Sequence, residues 1–213
     1  MCIHPHTCKH TSDTQTTGVV MQGSSDKISD DEKIRNAATF KAEGNAFYKE
    51  KDFRKAIGKY HRAILQLKAV GSESKCAALM PVPMTNGSPQ ELTPEMNELF
   101  ISLRVDCYNN LAACLLHQEN TNYNKVLEYC DQVLSDRPAN NKARHRKGVA
   151  LYHLKKYDEA HAILQSLEVT DAATKKYLAL CKKALREEDK QLKKTYQAMF
   201  SSSEQQSTEV DKT

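Results

Sequence analysis

The sequence predicts an all-α fold, an array of three helix pairs closed by a C-terminal capping helix. Three observations carry that expectation. From Phe53 the apolar residues Phe53, Ala56/Ile57, Tyr60, Ala63/Ile64 and Leu67 recur at steps of three or four, the stripe of an amphipathic helix. Strand-like alternation of apolar and polar residues is absent. A short pattern also recurs three times: a small residue, an aromatic nine or eleven positions later, and Ala or Val three beyond that. It reads Gly44, Phe53, Ala56; then Ala112, Tyr123, Val126; then Gly148, Tyr157, Ala160. Val126 and Ala160 are 34 residues apart, the spacing of a stacked helix-turn-helix unit in which small residues let two helices approach closely.

Taken in order, residues 1–32 are rich in Ser, Thr, Asp and Gln without periodicity and are expected to be disordered. The repeat domain follows over 33–200. Its first pair covers about 37–70 and its second about 105–140, preceded by a loop at about 69–92 that concentrates Gly, Pro, Ser and Asn. That loop ends where Thr93 caps and Pro94 starts a helix running to about His117. The third pair covers about 141–174. A capping helix at about 171–200 carries the stripe Leu178, Cys181, Leu185, Leu192, Tyr196 and Met199, expected to cover the last apolar surface of the array. Its basic residues Lys182, Lys183, Lys190, Lys193 and Lys194 read as a solvated outer face rather than as a site for calmodulin or an acidic membrane. The tail 201–213 is expected to be disordered.

Composition narrows the function. The net charge of +4 comes from 31 basic and 27 acidic residues interleaved, far from a nucleic-acid-binding signature. The seven cysteines form no CxxC pair and no metal-finger spacing, so they are expected to be reduced and mostly buried. The start "CIHPHTCKH" matches no closed tetrahedral pattern, and no metal or other cofactor is expected. His145, His153 and His161 read as packing or surface residues. No signal peptide and no membrane span is indicated, so a cytoplasmic location is expected. No GxSxG, HExxH, phosphate loop or dinucleotide fingerprint occurs, and the protein is not expected to be an enzyme.

The three units resemble tetratricopeptide repeats in spacing and residue type. They depart from the family in having Phe40 where Trp is usual, two extra residues in "QENTNYNK", Val126 in place of Ala, and no closing Pro in the third unit to match Pro138 of the second. In such an array the first helix of every unit faces one groove. Lys41 and Asn45 lie four residues apart on the first unit, Lys142 and Arg146 four apart on the third, and Asn110 on the second, so each pair shares a helix face. Basic residues on exposed helix faces are usually solvated charge; five polar positions in register across three units ask for more.

The set, "KAEGN", "NNLAAC" and "KARHR", closely resembles the carboxylate clamp of co-chaperone tetratricopeptide domains. That resemblance implies that Lys41, Asn45, Asn110, Lys142 and Arg146 bind the Glu-Glu-Val-Asp C-terminus of Hsp90 or Hsp70. An Asp at a chain end offers two neighbouring carboxylates, and convergent cationic donors meet both through charge-assisted bonds of about 1.5–3 kcal/mol each. From Phe40 to Phe200 the chain is also similar to the repeat portion of the large immunophilins. Its long loop, "CYNNLAACLL" and "YQAMF" most resemble the tetratricopeptide repeat protein 9 family. The expected function is therefore a non-enzymatic adaptor. The alternative is a scaffold that binds another cytosolic or cytoskeletal partner without recognising a chaperone tail.

Overall fold

The computed structural model describes residues 28–71, 92–167 and 171–210, with side chains as far as Met199. The expectations for the N-terminal segment up to residue 27, including its Cys/His-rich start, for most of the long loop and for the last three residues lie outside that set.

Among the described residues there are seven helices and no strand. They are α1 (Asp30–Lys49), α2 (Phe53–Ala69), α3 (Pro94–Leu116), α4 (Tyr123–Asp136), α5 (Asn141–His153), α6 (Tyr157–Gln165) and α7 (Ala172–Val210). Helix α1 starts three residues before the expected domain edge at 33, because Ser29 caps it and Asp30, Asp31 and Glu32 place negative charge in its first turn. Side chains of Asp52, Thr93, Asn122, Asn140 and Asp171 accept bonds from the backbone N–H three residues on, and so start α2, α3, α4, α5 and α7. The turns after α1 and α5 both close on a lysine in the left-handed region, Lys51 (φ 62°) and Lys155 (φ 61°), which marks them as equivalent positions of a repeat.

Each helix packs on the next in the chain. In addition α1 touches α3, α3 touches α5 and α5 touches α7, while α2, α4 and α6 make no such contacts with one another. The first helices of the pairs thus form one continuous row. The recurring small residues create that geometry. Gly44 and Ala112 are buried, and Ala56, Val126 and Ala160 are fully buried. At Gly44 a Cβ would stand 2.6 Å from the Tyr60 ring, and at Gly148 a Cβ would stand 2.5 Å from Leu164. Between units, the aromatic that opens a second helix stacks on a histidine at the end of the next unit's first helix. Phe53 lies over His117 (4.6 Å, 7°), and Tyr123 over His153 (4.4 Å, 8°). Arg104 reaches Asp136 with two donors and ties α3 to the end of α4.

Helix α3 is long and apolar enough to cross a membrane by length and hydropathy. Its apolar residues Leu103, Val105, Cys107, Leu111 and Cys114 are instead buried in the core of the array, which accounts for that composition. The C-terminal expectation needs correction. Helix α7 continues to Val210, beyond the expected end near 200. Its stripe covers the array only in part: Cys181 is buried and Leu178 packs beside it, but Leu192, Tyr196 and Met199 are 55%, 54% and 64% exposed. The reason is length. Helix α6 has 9 residues and spans about 14 Å, whereas α7 has 39 and spans about 58 Å, so it outruns the surface it caps.

Candidate functional site

All five sequence-selected residues sit on the row of first helices: Lys41 and Asn45 on α1, Asn110 on α3, Lys142 and Arg146 on α5. Asn110, Lys142 and Arg146 line a single hollow of about 390 Å³ together with Asp106, Asn109, Asn140 and Asn141. Lys41 and Asn45 are joined to it by direct bonds. Asn110 Nδ2 donates to Asn45 Oδ1 at 3.0 Å, and Lys41 Nζ donates to Asp106 Oδ2 at 2.8 Å.

The pieces are held from behind. Tyr60, fully buried against Gly44, donates its hydroxyl to Asn45 Oδ1 at 2.8 Å, which engages that oxygen and leaves the Asn45 NH₂ to donate elsewhere. Burial raises the Tyr60 phenol above its usual range, so the hydroxyl keeps its proton and remains a donor. Asn109, 8% exposed, accepts a bond from Arg146 Nη1 at 3.0 Å. Sequence reasoning missed Asp106, Asn109 and Tyr60. Asp106 was within reach, since it precedes Asn110 by four residues and therefore shares its face of α3.

Arg146 also departs from the expectation of an exposed groove residue: it is half-buried, and that burial lowers the guanidinium from its ordinary value. The group stays charged, so a desolvated cation here gains from a ligand carboxylate more than a surface arginine would. Lys142 is exposed and has no hydrogen-bond or ion-pair partner among the described residues. Together the site offers three cations and two amide donors, against one carboxylate. Burial pushes the Cys107, Cys114 and Cys130 thiols up to about 12, so they are inert packing residues and not nucleophiles. Among the described residues no group of His, Cys, Asp or Glu side chains is placed to hold a metal ion.

Beside Lys142 and Arg146, on the α7 side, a second hollow of about 270 Å³ is lined by His145, Leu167, Asp171 and Thr174. His145 stands edge-on to Tyr177, its buried Nε2 has no partner, and burial lowers its pKa from the usual value. The native state therefore holds this imidazole neutral, whereas the unfolded chain protonates it near its ordinary pKa of about 6.5. As pH falls from about 7 through the depressed native value, protons bind the unfolded state preferentially and stability drops. The thermal midpoint is expected to fall between pH 7.5 and 5.5, and His145→Leu to flatten that slope. An unchanged slope in the variant would place the titration elsewhere.

A family model described as tetratricopeptide repeat matches residues 117–184. Tetratricopeptide repeat protein 9C of Xenopus tropicalis is 40% identical over 176 residues, 80% of this chain and 95% of that protein. The chain belongs to the tetratricopeptide repeat protein 9 family. Among solved structures, this family member is similar to the C-terminal tetratricopeptide-containing domain of a Plasmodium falciparum FK506-binding protein. That likeness has a TM-score of 0.62 at 25% identity and covers 76% of this chain and 96% of that one. It also shares its fold with the Hsp90 co-chaperone Cns1 of Saccharomyces cerevisiae, with a TM-score of 0.54 at 23% identity over 79% of this chain and 45% of that one. The chain is thus an all-α repeat array, as its 34-residue spacing predicts, and a protein-interaction module.

Proposed function

We propose that this chain is a cytoplasmic, non-enzymatic adaptor whose groove binds the Glu-Glu-Val-Asp C-terminus of Hsp90 or Hsp70 through Lys41, Asn45, Asn110, Lys142 and Arg146. The observation that carries the reading is the joining of those five residues, drawn from three repeats, around one hollow on one row of helices. An extended acidic chain end suits that row because its terminal carboxylates meet cations from α1 and α5 while amides from α1 and α3 donate without repelling them.

Calorimetric titration of the full chain with a Glu-Glu-Val-Asp peptide as free acid and as C-terminal amide tests it. The free acid is expected to bind, and the amide to bind about ten- to a hundredfold more weakly, the loss of one charge-assisted carboxylate contact. Equal binding of the two peptides would overturn the reading and leave the scaffold alternative, with a partner that makes no use of the groove's cations.

A further inference from the structure

Lys41 already has a carboxylate partner within the chain. Its Nζ lies 2.8 Å from Asp106 Oδ2, and Asp106 lines the hollow shared by Asn110, Lys142 and Arg146. The two cationic ends of the groove are therefore unlike. On α5, Lys142 is exposed and, among the described residues, neither it nor Arg146 is in an ion pair: Arg146 bonds to a neutral amide, that of Asn109, and Asp171 lines the hollow on their α7 side without pairing with either. On α1, Lys41 is neutralised. The exposures differ in a telling way: the Lys41 side chain is 24% exposed and that of Asp106 49%. Lys41 is held in place against the array, while Asp106 is free enough to turn out into water when another anion arrives.

We infer that Asp106 is a built-in rival for Lys41 and sets the charge specificity of the groove, an inference that rests on the tail-binding function proposed above. A ligand's first carboxylate is held at Lys142 and Arg146. A second one reaches Lys41 only by displacing Asp106, and then sits beside the displaced carboxylate, whose like charge opposes it. The second carboxylate consequently contributes less than its charge alone would give. The groove favours a chain end with a free terminal carboxylate and is tolerant of whether the last side chain is acidic. The plain alternative, that this is a solvated surface pair of no consequence, is at odds with its position: it joins α1 to α3 at the rim of the hollow, four residues from Asn110.

The test uses the full chain, Asp106→Asn, Lys41→Ala and the double variant, each titrated with peptides ending Glu-Glu-Val-Asp and Glu-Glu-Val-Asn. Asp106→Asn is expected to bind the acidic peptide about two- to fivefold more tightly, the reach of a half-exposed charge pair. The gain is expected to shrink markedly in the Lys41→Ala background, where only the like-charge repulsion by Asp106 is relieved, and the penalty for the neutral peptide end to grow in Asp106→Asn. Asp106→Ser supplies a second route to the same result, and thermal melts check that each variant is folded. If Asp106→Asn gains nothing, or gains equally without Lys41, Asp106 is no rival and the inference fails, while a wild-type preference for free acid over amide leaves the tail-binding reading standing. If neither the wild type nor Asp106→Asn binds either peptide, both fall together.

Discussion

Gly44→Ala is expected to destabilise the chain by about 3 kcal/mol or more in urea unfolding, a large fraction of a domain's stability. On propensity alone the change is favourable, since Ala in a helix is worth about 1 kcal/mol over Gly. Packing reverses the sign. The new Cβ would lie 2.6, 2.8 and 3.0 Å from Cε1, Cδ1 and Cζ of Tyr60. A ring has no flexible end to turn aside, and this one is fully buried and tethered by its hydroxyl to Asn45. Relief requires α1 and α2 to separate. Gly148→Ala, which meets Leu164 Cγ and Cδ2 at 2.5 Å, is expected to act in the same direction in the third unit. Gly58→Ala is the control: nothing lies within 4 Å of its Cβ, so it is expected to stabilise by about 0.5–1 kcal/mol. Were Gly44→Ala and Gly58→Ala to behave alike, close approach of the paired helices would not be what holds the array together. Because Gly44 supports Tyr60 and Tyr60 supports Asn45, the same substitution is expected to weaken ligand binding by displacing an amide at the edge of the groove.

The features legible in the sequence are those set by a helix's own periodicity. The small residues Gly44, Ala112 and Gly148 and the third-position residues Ala56, Val126 and Ala160 repeat because each performs the same packing task in each unit, so their burial was readable without a structure. The face carrying Lys41, Asn45, Asn110, Lys142 and Arg146 was readable for the same reason, since a four-residue step keeps a side chain on one side of its helix. What was not legible depends on how different helices meet. Asp106 finds Lys41 65 residues away in the chain, and Asn109 finds Arg146 37 residues away; no period predicts either pairing. Arg146 looked like a surface residue by type, and the packing of α5 against its neighbours, which brings the guanidinium near Tyr48, Cys114 and Cys130, half-buries it. The exposed end of α7 was hidden for a different reason: its apolar stripe continues unchanged, while the array beneath it stops at the short α6.

Lys142→Glu is expected to abolish measurable binding of a Glu-Glu-Val-Asp peptide while leaving the fold intact. Lys142 is exposed and unpartnered among the described residues, so replacing it strands no buried group. Truncation to Ala removes one charge-assisted contact and is expected to cost about 1.5–3 kcal/mol, or about ten- to a hundredfold in affinity. Glu adds repulsion of the incoming carboxylate at the α5 end of the groove, where no ion pair among the described residues engages Lys142. Arg146→Ala behaves differently. It removes the donor to Asn109, whose 8% exposure leaves little access to water, so about 1–3 kcal/mol of stability is expected to be lost along with affinity. Lys142 therefore separates binding from folding where Arg146 does not. Lys49→Ala, at the exposed end of α1 and away from the hollow, is expected to change neither. Rising salt is expected to weaken wild-type binding, and to do so less in Lys142→Ala, because one partly exposed ionic contact has been removed. A Lys142→Glu chain that bound the peptide as well as Lys49→Ala does would show that the row of first helices is not where the ligand's charge is held.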